Sequence, residues 1–151
     1  MTLTRRQTLA LAAGAVALAG LGLRAGPAAA DTAAAEKRLM DFTGGKTPEA
    51  GKISLTAPEI AENGNTVPVS VAVESAMTAD AYVAAVMLLA DGNPNPAVAT
   101  FHFTPLSGSA EAATRIRLAR TQNVIAVAKM SDGAVFMDRK EVKVTIGGCG
   151  G

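Results

Sequence analysis

From Lys52 onward the chain is a succession of short runs rich in β-branched residues, separated by turn clusters and with almost no 3.6-residue periodicity. Val67, Val69, Val71 and Val73 fall on one face of an extended backbone. Ile116 and Leu118 alternate with Arg115 and Arg117, and Val142, Val144 and Ile146 alternate with Lys143 and Thr145. A period of two sets one row of side chains against a core and the other in water, which is the pattern of a half-buried strand. The runs 52–56, 67–74, 82–90, 97–104, 112–119, 122–130 and 134–146 are the predicted strands, the last long enough to bend or split. The turns between them are Asn63-Gly64-Asn65, Asp91-Gly92-Asn93-Pro94, Ser107-Gly108-Ser109 and Ser131-Asp132-Gly133. About seven strands spaced in this way predict an all-β fold, an immunoglobulin-like antiparallel sandwich.

Two segments depart from the alternation. Residues 83–90 (VAAVMLLA) are apolar on both faces, which suits a central strand or one covered by a second protein; periodicity alone does not separate such a run from a buried helix. Residues 31–42 (DTAAAEKRLMDF) predict a short helix, from three alanines and Glu36, Lys37 and Arg38, with Leu39, Met40 and Phe42 placed to cap the body of the domain. Gly44-Gly45 ends it.

The first 30 residues are of another kind. Thr4-Arg5-Arg6 opens a basic region, Leu9 to Leu23 is an Ala/Leu/Gly stretch, and Ala28-Ala29-Ala30 offers a small-residue cleavage site before Asp31. This is the three-part layout of an export signal. The apolar stretch is shorter than the roughly 20 residues that span a bilayer, which argues against a membrane anchor. The arginine pair in TRRQTL is similar to a twin-arginine signal, although Thr8 stands where Phe is common. The expected organisation is therefore a signal peptide at 1–30, a β-sandwich domain at 31–146 and a glycine-rich arm at 147–151, with the mature protein in the periplasm.

Charge and residue inventory exclude several classes. The chain has 14 basic and 13 acidic residues; loss of Arg5, Arg6 and Arg24 leaves 11 against 13, net −2 for the mature part. No nucleic-acid footprint survives, and Arg115, Arg117 and Arg120 read as the solvent face and end of a strand. With one Cys and one His, a zinc ribbon, a CxxCH haem site and an internal disulfide are all out of reach. No metal or other cofactor is expected.

The chemistry concentrates in Gly147-Gly148-Cys149-Gly150-Gly151. Four of the eleven glycines beyond residue 30 lie in these five positions. Glycine loses the most backbone entropy on ordering, so the segment reads as a flexible arm whose one functional atom is the Cys149 sulfur. From Ile146, Cys149 lies about 10 Å along an extended chain, enough to enter a narrow active site on another protein. Other readings of the thiol are a disulfide-linked dimer through Cys149, in an exported binding or structural module, and a stand-alone thiol enzyme. The enzyme reading lacks a partner for the nucleophile: Lys143, the nearest basic residue, is six positions back, and His102 alternates with Phe101 and Phe103 on a predicted strand.

The terminal GGCGG after VKVTI, together with IAENGNTVPVSV at 60–71, resembles the Y-subunit family of the Sox sulfur-carrier complex of thiosulfate-oxidising bacteria, the likeness spanning most of the mature chain. That resemblance implies a non-catalytic carrier that holds thiosulfate-derived sulfur on Cys149, with Gly147, Gly148, Gly150 and Gly151 as the swinging arm. It also implies an obligate heterodimer with a Z subunit, SoxZ, itself a small β-sandwich. The implied transient partners are the c-type cytochrome SoxAX, which couples thiosulfate to the cysteine, the dimanganese hydrolase SoxB and the sulfane dehydrogenase SoxCD. An uncovered apolar face is expected for the Z-like partner, with 83–90 its first candidate.

Overall fold

The computed structural model describes residues 27–147 of the 151. Helix α1 (Pro27–Thr43) is followed by β1 (Glu49–Ala50), β2 (Ile53–Thr56), β3 (Ile60–Ala61), β4 (Val67–Val73), β5 (Val83–Ala90) and β6 (Ala97–His102). A single 3₁₀ turn (Pro105–Ser107) then leads to β7 (Ala110–Ile116), β8 (Gln122–Met130) and β9 (Val135–Val144). The seven long strands fall within about two residues of the predicted ones, except that β7 starts two residues earlier and stops three earlier than expected. The expected sandwich is present, as two sheets of order β1-β9-β8-β5-β6, with β3 also on β9, and β2-β4-β7.

Alternation does what the sequence predicts in the small sheet. Val67, Val69, Val71 and Val73 of β4 are all buried, and β4 pairs antiparallel with both β2 and β7. These valines meet Val86, Leu88, Val124, Ala126 and Val142 of the large sheet in one continuous core. Ile116 and Leu118 point inward while Arg115, Arg117 and Arg120 face solvent, as expected. On β9 Val142 is fully buried and Val144 half-buried, but Ile146 is exposed because pairing in the ladder ends at Val144 and the chain turns out of the sandwich.

Segment 83–90 is a strand, second from the edge of the large sheet. Its second apolar face is not left for a partner. Met87 and Leu89, with Ile125 and Val127 of β8, form a smaller cluster covered by Leu39 and Phe42 of α1 and by Met137. The chain's own helix therefore takes the face that the sequence offered to a second protein. Ala35, Leu39 and Phe42 sit one helical face apart, which is why they meet the sheet, and Met40, on the opposite side, is 64% exposed rather than capping the domain. The helix is longer than the expected 31–42, with Pro27 at its first position. It ends where expected: Gly44 has φ +67°, and the Gly45 amide donates to the Met40 carbonyl at 3.0 Å, closing a Schellman cap.

The 134–146 run forms one unbroken strand in register with β8 from Gln122↔Val142 to Lys129↔Val135. Its outer edge carries two additions that no sequence pattern announced. β1 pairs in parallel at Phe136–Met137, and β3 at Lys143–Val144. Two-residue strands have no periodicity to read; they exist because a neighbouring edge offers hydrogen-bonding groups.

Candidate functional site

Of the arm residues, Gly147 lies in the described part; Gly148, Cys149, Gly150 and Gly151 lie outside the described residues, as do the arginine pair and the apolar stretch of the leader. What the structure defines is the root from which Cys149 departs. Along the last residues of β9 the backbone is held on its outer side by β3 and the loop after it. The Lys143 amide donates to the Glu59 carbonyl at 2.9 Å and the Thr145 amide to the Ala61 carbonyl at 3.1 Å. The Thr145 hydroxyl donates to the Glu62 carbonyl at 3.0 Å. The Gly64 amide then donates to the Ile146 carbonyl at 2.8 Å. On the other side the Thr121 hydroxyl accepts from the Val144 amide at 2.9 Å.

Gly64 joins this root to a second loop, because its own carbonyl accepts from the Leu118 amide at 2.8 Å. The turn Asn63-Gly64-Asn65 is set locally by the Asn63 side chain, which accepts from the Asn65 amide at 2.9 Å. The consequence falls on Gly147. A Cβ there would collide with the Ala119 carbonyl, so glycine is required by close approach of two backbones and not only by flexibility.

Ala119 is itself held by a polar network at this end of the sandwich. The Asn93 amide oxygen accepts from the Ala119 amide at 3.0 Å and from Gln122 Nε2 at 2.8 Å, while Asn93 Nδ2 donates to the Arg117 carbonyl at 2.7 Å. Gln122, 6% exposed, also donates to the Arg120 carbonyl and accepts from the Gly92 amide at 2.7 Å. Asp91 accepts from the Asn123 amide and side chain at 2.9 and 2.8 Å. Among the described residues no buried side-chain polar atom lacks a partner, so the network is satisfied and stiff. The turn at Asp91–Pro94 was legible in the sequence. Its second role was not, although two adjacent amides opening an apolar strand, Gln122-Asn123, were the available signal.

His102 is an exposed residue of edge strand β6. The register row His102–Ala85–Lys129–Val135 places it beside the start of β9. The arm leaves from the other end of that strand, nine residues on, roughly 30 Å away at strand rise. With a reach of about 10 Å from Ile146, Cys149 does not approach His102 within one chain. Among the described residues there is no group of three or more His, Cys, Asp or Glu side chains placed to hold a metal ion, and no helix is long and apolar enough to cross a membrane. A concavity of about 610 Å³ lies elsewhere, on the outer face of the small sheet between Thr56, Pro58, Pro68, Ser70 and Arg115.

Comparison with known proteins agrees with this geometry. The family described as sulfur oxidation protein SoxY matches residues 39–149, a span that ends on the cysteine. Among solved structures, the sulfur carrier protein SoxY from Chlorobium limicola f thiosulfatophilum is 33% identical, with a TM-score of 0.60 over 74% of this chain and 96% of that one. A superoxide reductase (neelaredoxin) from Ignicoccus hospitalis is 21% identical, with a TM-score of 0.56 over 73% of this chain and 89% of that one. A putative superoxide reductase from Thermotoga maritima is 18% identical, with a TM-score of 0.52 over 69% and 90%. At those identities the two reductases share the fold alone. No curated protein sequence matches the chain at a significant level.

Proposed function

Since the chain belongs to the SoxY family of sulfur oxidation proteins and is a carrier of that system, we propose that it holds thiosulfate-derived sulfur covalently on Cys149, in the periplasm, and presents it to partner enzymes. The observation that carries the reading is the family match running through Cys149, the one thiol of the chain, three residues beyond a root clamped by backbone hydrogen bonds. A fixed root and a short glycine arm suit a handle: the body gives each enzyme the same surface to grip, and the thiol enters its active site.

The chemistry proposed is a cycle on one sulfur. The Cys149 thiolate and thiosulfate form an S–S bond and release two electrons to a c-type cytochrome, leaving Cys–S–S–SO₃⁻. A dimanganese hydrolase adds water, releases sulfate and two protons, and leaves the persulfide Cys–S–S⁻. A sulfane dehydrogenase oxidises the terminal sulfur that remains with three waters, giving Cys–S–SO₃⁻, six protons and six electrons passed to a c-type cytochrome, and a second hydrolysis releases sulfate and two protons and restores the thiolate. In this reading the carrier supplies no acid, base or cofactor of its own, and the distance of His102 from the arm supports that assignment.

A permanent partner, a second small β-sandwich of the SoxZ kind, belongs to the same proposal. The corrected surface for it is the free edge of β6. Among the described residues β6 pairs only with β5, and from Ala97 to Leu106 the chain has no charged residue. Edges left to solvent are normally guarded by Lys or Pro within the strand, or by a covering loop. Leu106, just beyond the strand, is 98% exposed.

Intact-mass analysis of the protein from thiosulfate-oxidising cells tests the carrier reading. Sulfur-containing additions confined to Cys149 are expected, and none on Cys149→Ser protein. Adducts that persist unchanged in that variant overturn it.

A further inference from the structure

The two sides of the sandwich are finished differently. On one side β1 and β3 line β9, and β2 is tied across to it, because the Leu55 amide donates to Asp138 Oδ2 at 2.8 Å. On the other side β6 and β7, joined through the 3₁₀ turn at Pro105–Ser107, each pair with one neighbour only among the described residues. Such an edge presents a row of backbone N–H and C=O groups that another strand can take.

The charges of β7 are arranged symmetrically. Glu111 and Arg115 are exposed on the outer face, two residues either side of Ala113, the midpoint of the strand. Within the chain the residues opposite them on β4 are Ala72 and Pro68, so neither charge is answered across the ladder. A strand edge guarded by charges of one sign repels its own copy. Here the signs are opposite, and an antiparallel copy meets attraction instead. With Ala113 set against Ala113 of the copy, Glu111 of each chain falls opposite Arg115 of the other, Ala112 opposite Thr114 and Ala110 opposite Ile116. All seven residues of each strand are paired and no like charges meet. Paired positions differ by an even number, so inward residues stay inward and outward residues outward.

We propose that β7 pairs with β7 of a second copy of this chain about a two-fold axis at Ala113, extending the small sheet to the order β2-β4-β7-β7-β4-β2. The contact is isologous, so each favourable pair occurs twice. It is also distinct from a disulfide through Cys149. The root of the arm is tied through Gly64 to the Leu118 amide, five residues beyond the axis, which sets the two roots on the order of 30 Å apart at strand rise. Two arms that each reach about 10 Å do not bridge that gap. The edge of β6 lies on the same side of the sandwich, about 10 Å away at the spacing of packed sheets. A partner sandwich on β6 and a copy on β7 therefore exclude one another, and the pairing belongs to the chain without that partner, where it covers an edge otherwise open to aggregation.

Sedimentation velocity of the purified protein, alone and with reductant, tests the pairing. One strand pair with two ion pairs makes a weak contact, so a dimer is expected at about 100 µM, in Cys149→Ser protein as in the parent. Glu111→Arg and Arg115→Glu each set like charges opposite one another twice. Each weakens the dimer about tenfold or more, while an unchanged melting temperature for one or other variant shows that the fold is intact. Mixing the two variants restores the dimer, because every acidic position then faces a basic one. A parent that sediments as a monomer at about 100 µM overturns the proposal, as does a dimer that both reversals leave intact, or a mixture that stays monomeric. These outcomes are independent of carriage on Cys149, which the adduct masses decide.

Discussion

At the residue scale the arm and its root have different reasons for being glycine. Gly147 abuts the Ala119 carbonyl, a backbone atom that cannot swing aside. Gly147→Val therefore lowers stability by about 1 kcal/mol, read as a fall in the denaturant midpoint, and displaces the root; an unchanged midpoint would show that the close approach is not maintained in solution. Asn93 makes three hydrogen bonds that fix the 117–122 loop. Asn93→Ala leaves their partners unsatisfied at a partly buried site and costs on the order of 2 kcal/mol in the same measurement. Asn93→Asp keeps the two accepted bonds and loses the donor to the Arg117 carbonyl, so its cost falls between parent and alanine. Cys149 stood out as a candidate from its setting alone, a single thiol among four glycines. The requirement at Gly147 was not, because the collision is with a carbonyl 28 positions earlier in the chain.

At the scale of elements, α1 converts a sheet with two apolar faces into a three-layered structure. Leu39 and Phe42 cover Met87, Leu89, Ile125 and Val127. Replacing both with Asp uncovers that cluster and buries no compensating charge, at a cost of about 3 kcal/mol, together with self-association detectable by light scattering. A monodisperse double variant of parent stability would show that the helix is dispensable there. The free edge of β6 makes the opposite expectation at Leu106. Because that side chain packs on nothing in its own chain, Leu106→Ser leaves the melting temperature of the isolated protein unchanged, while affinity for the partner sandwich falls roughly tenfold or more if the edge is the interface. Titration calorimetry against the purified partner reads this directly. Element types followed from periodicity: Val67–Val73 could be little else than a strand with its odd-numbered residues inward. The two short parallel pairings on β9 follow from no local pattern, since they depend on where the loops before and after β2 happen to run along an edge.

For the whole molecule the separation of arm and histidine matters most. The sheet places His102 and the departure of β9 at opposite ends and three strands apart. His102→Gln accordingly leaves thiosulfate loading of Cys149 unchanged, as followed by intact mass over time; a loss of loading would require a base supplied by this residue and would return the protein to the enzyme class. Sequence by itself determined the sandwich, its strands and inward faces, and singled out one thiol as the candidate site, because alternation and an isolated thiol are properties of neighbours along the chain. The tertiary structure alone decided that the 83–90 face belongs to the chain's own helix and that the chain leaves β9 at a root held by hydrogen bonds from two loops. Those are contacts between segments far apart in sequence, and pairing and packing across such distances depend on the global arrangement of edges and faces, which local patterns do not encode.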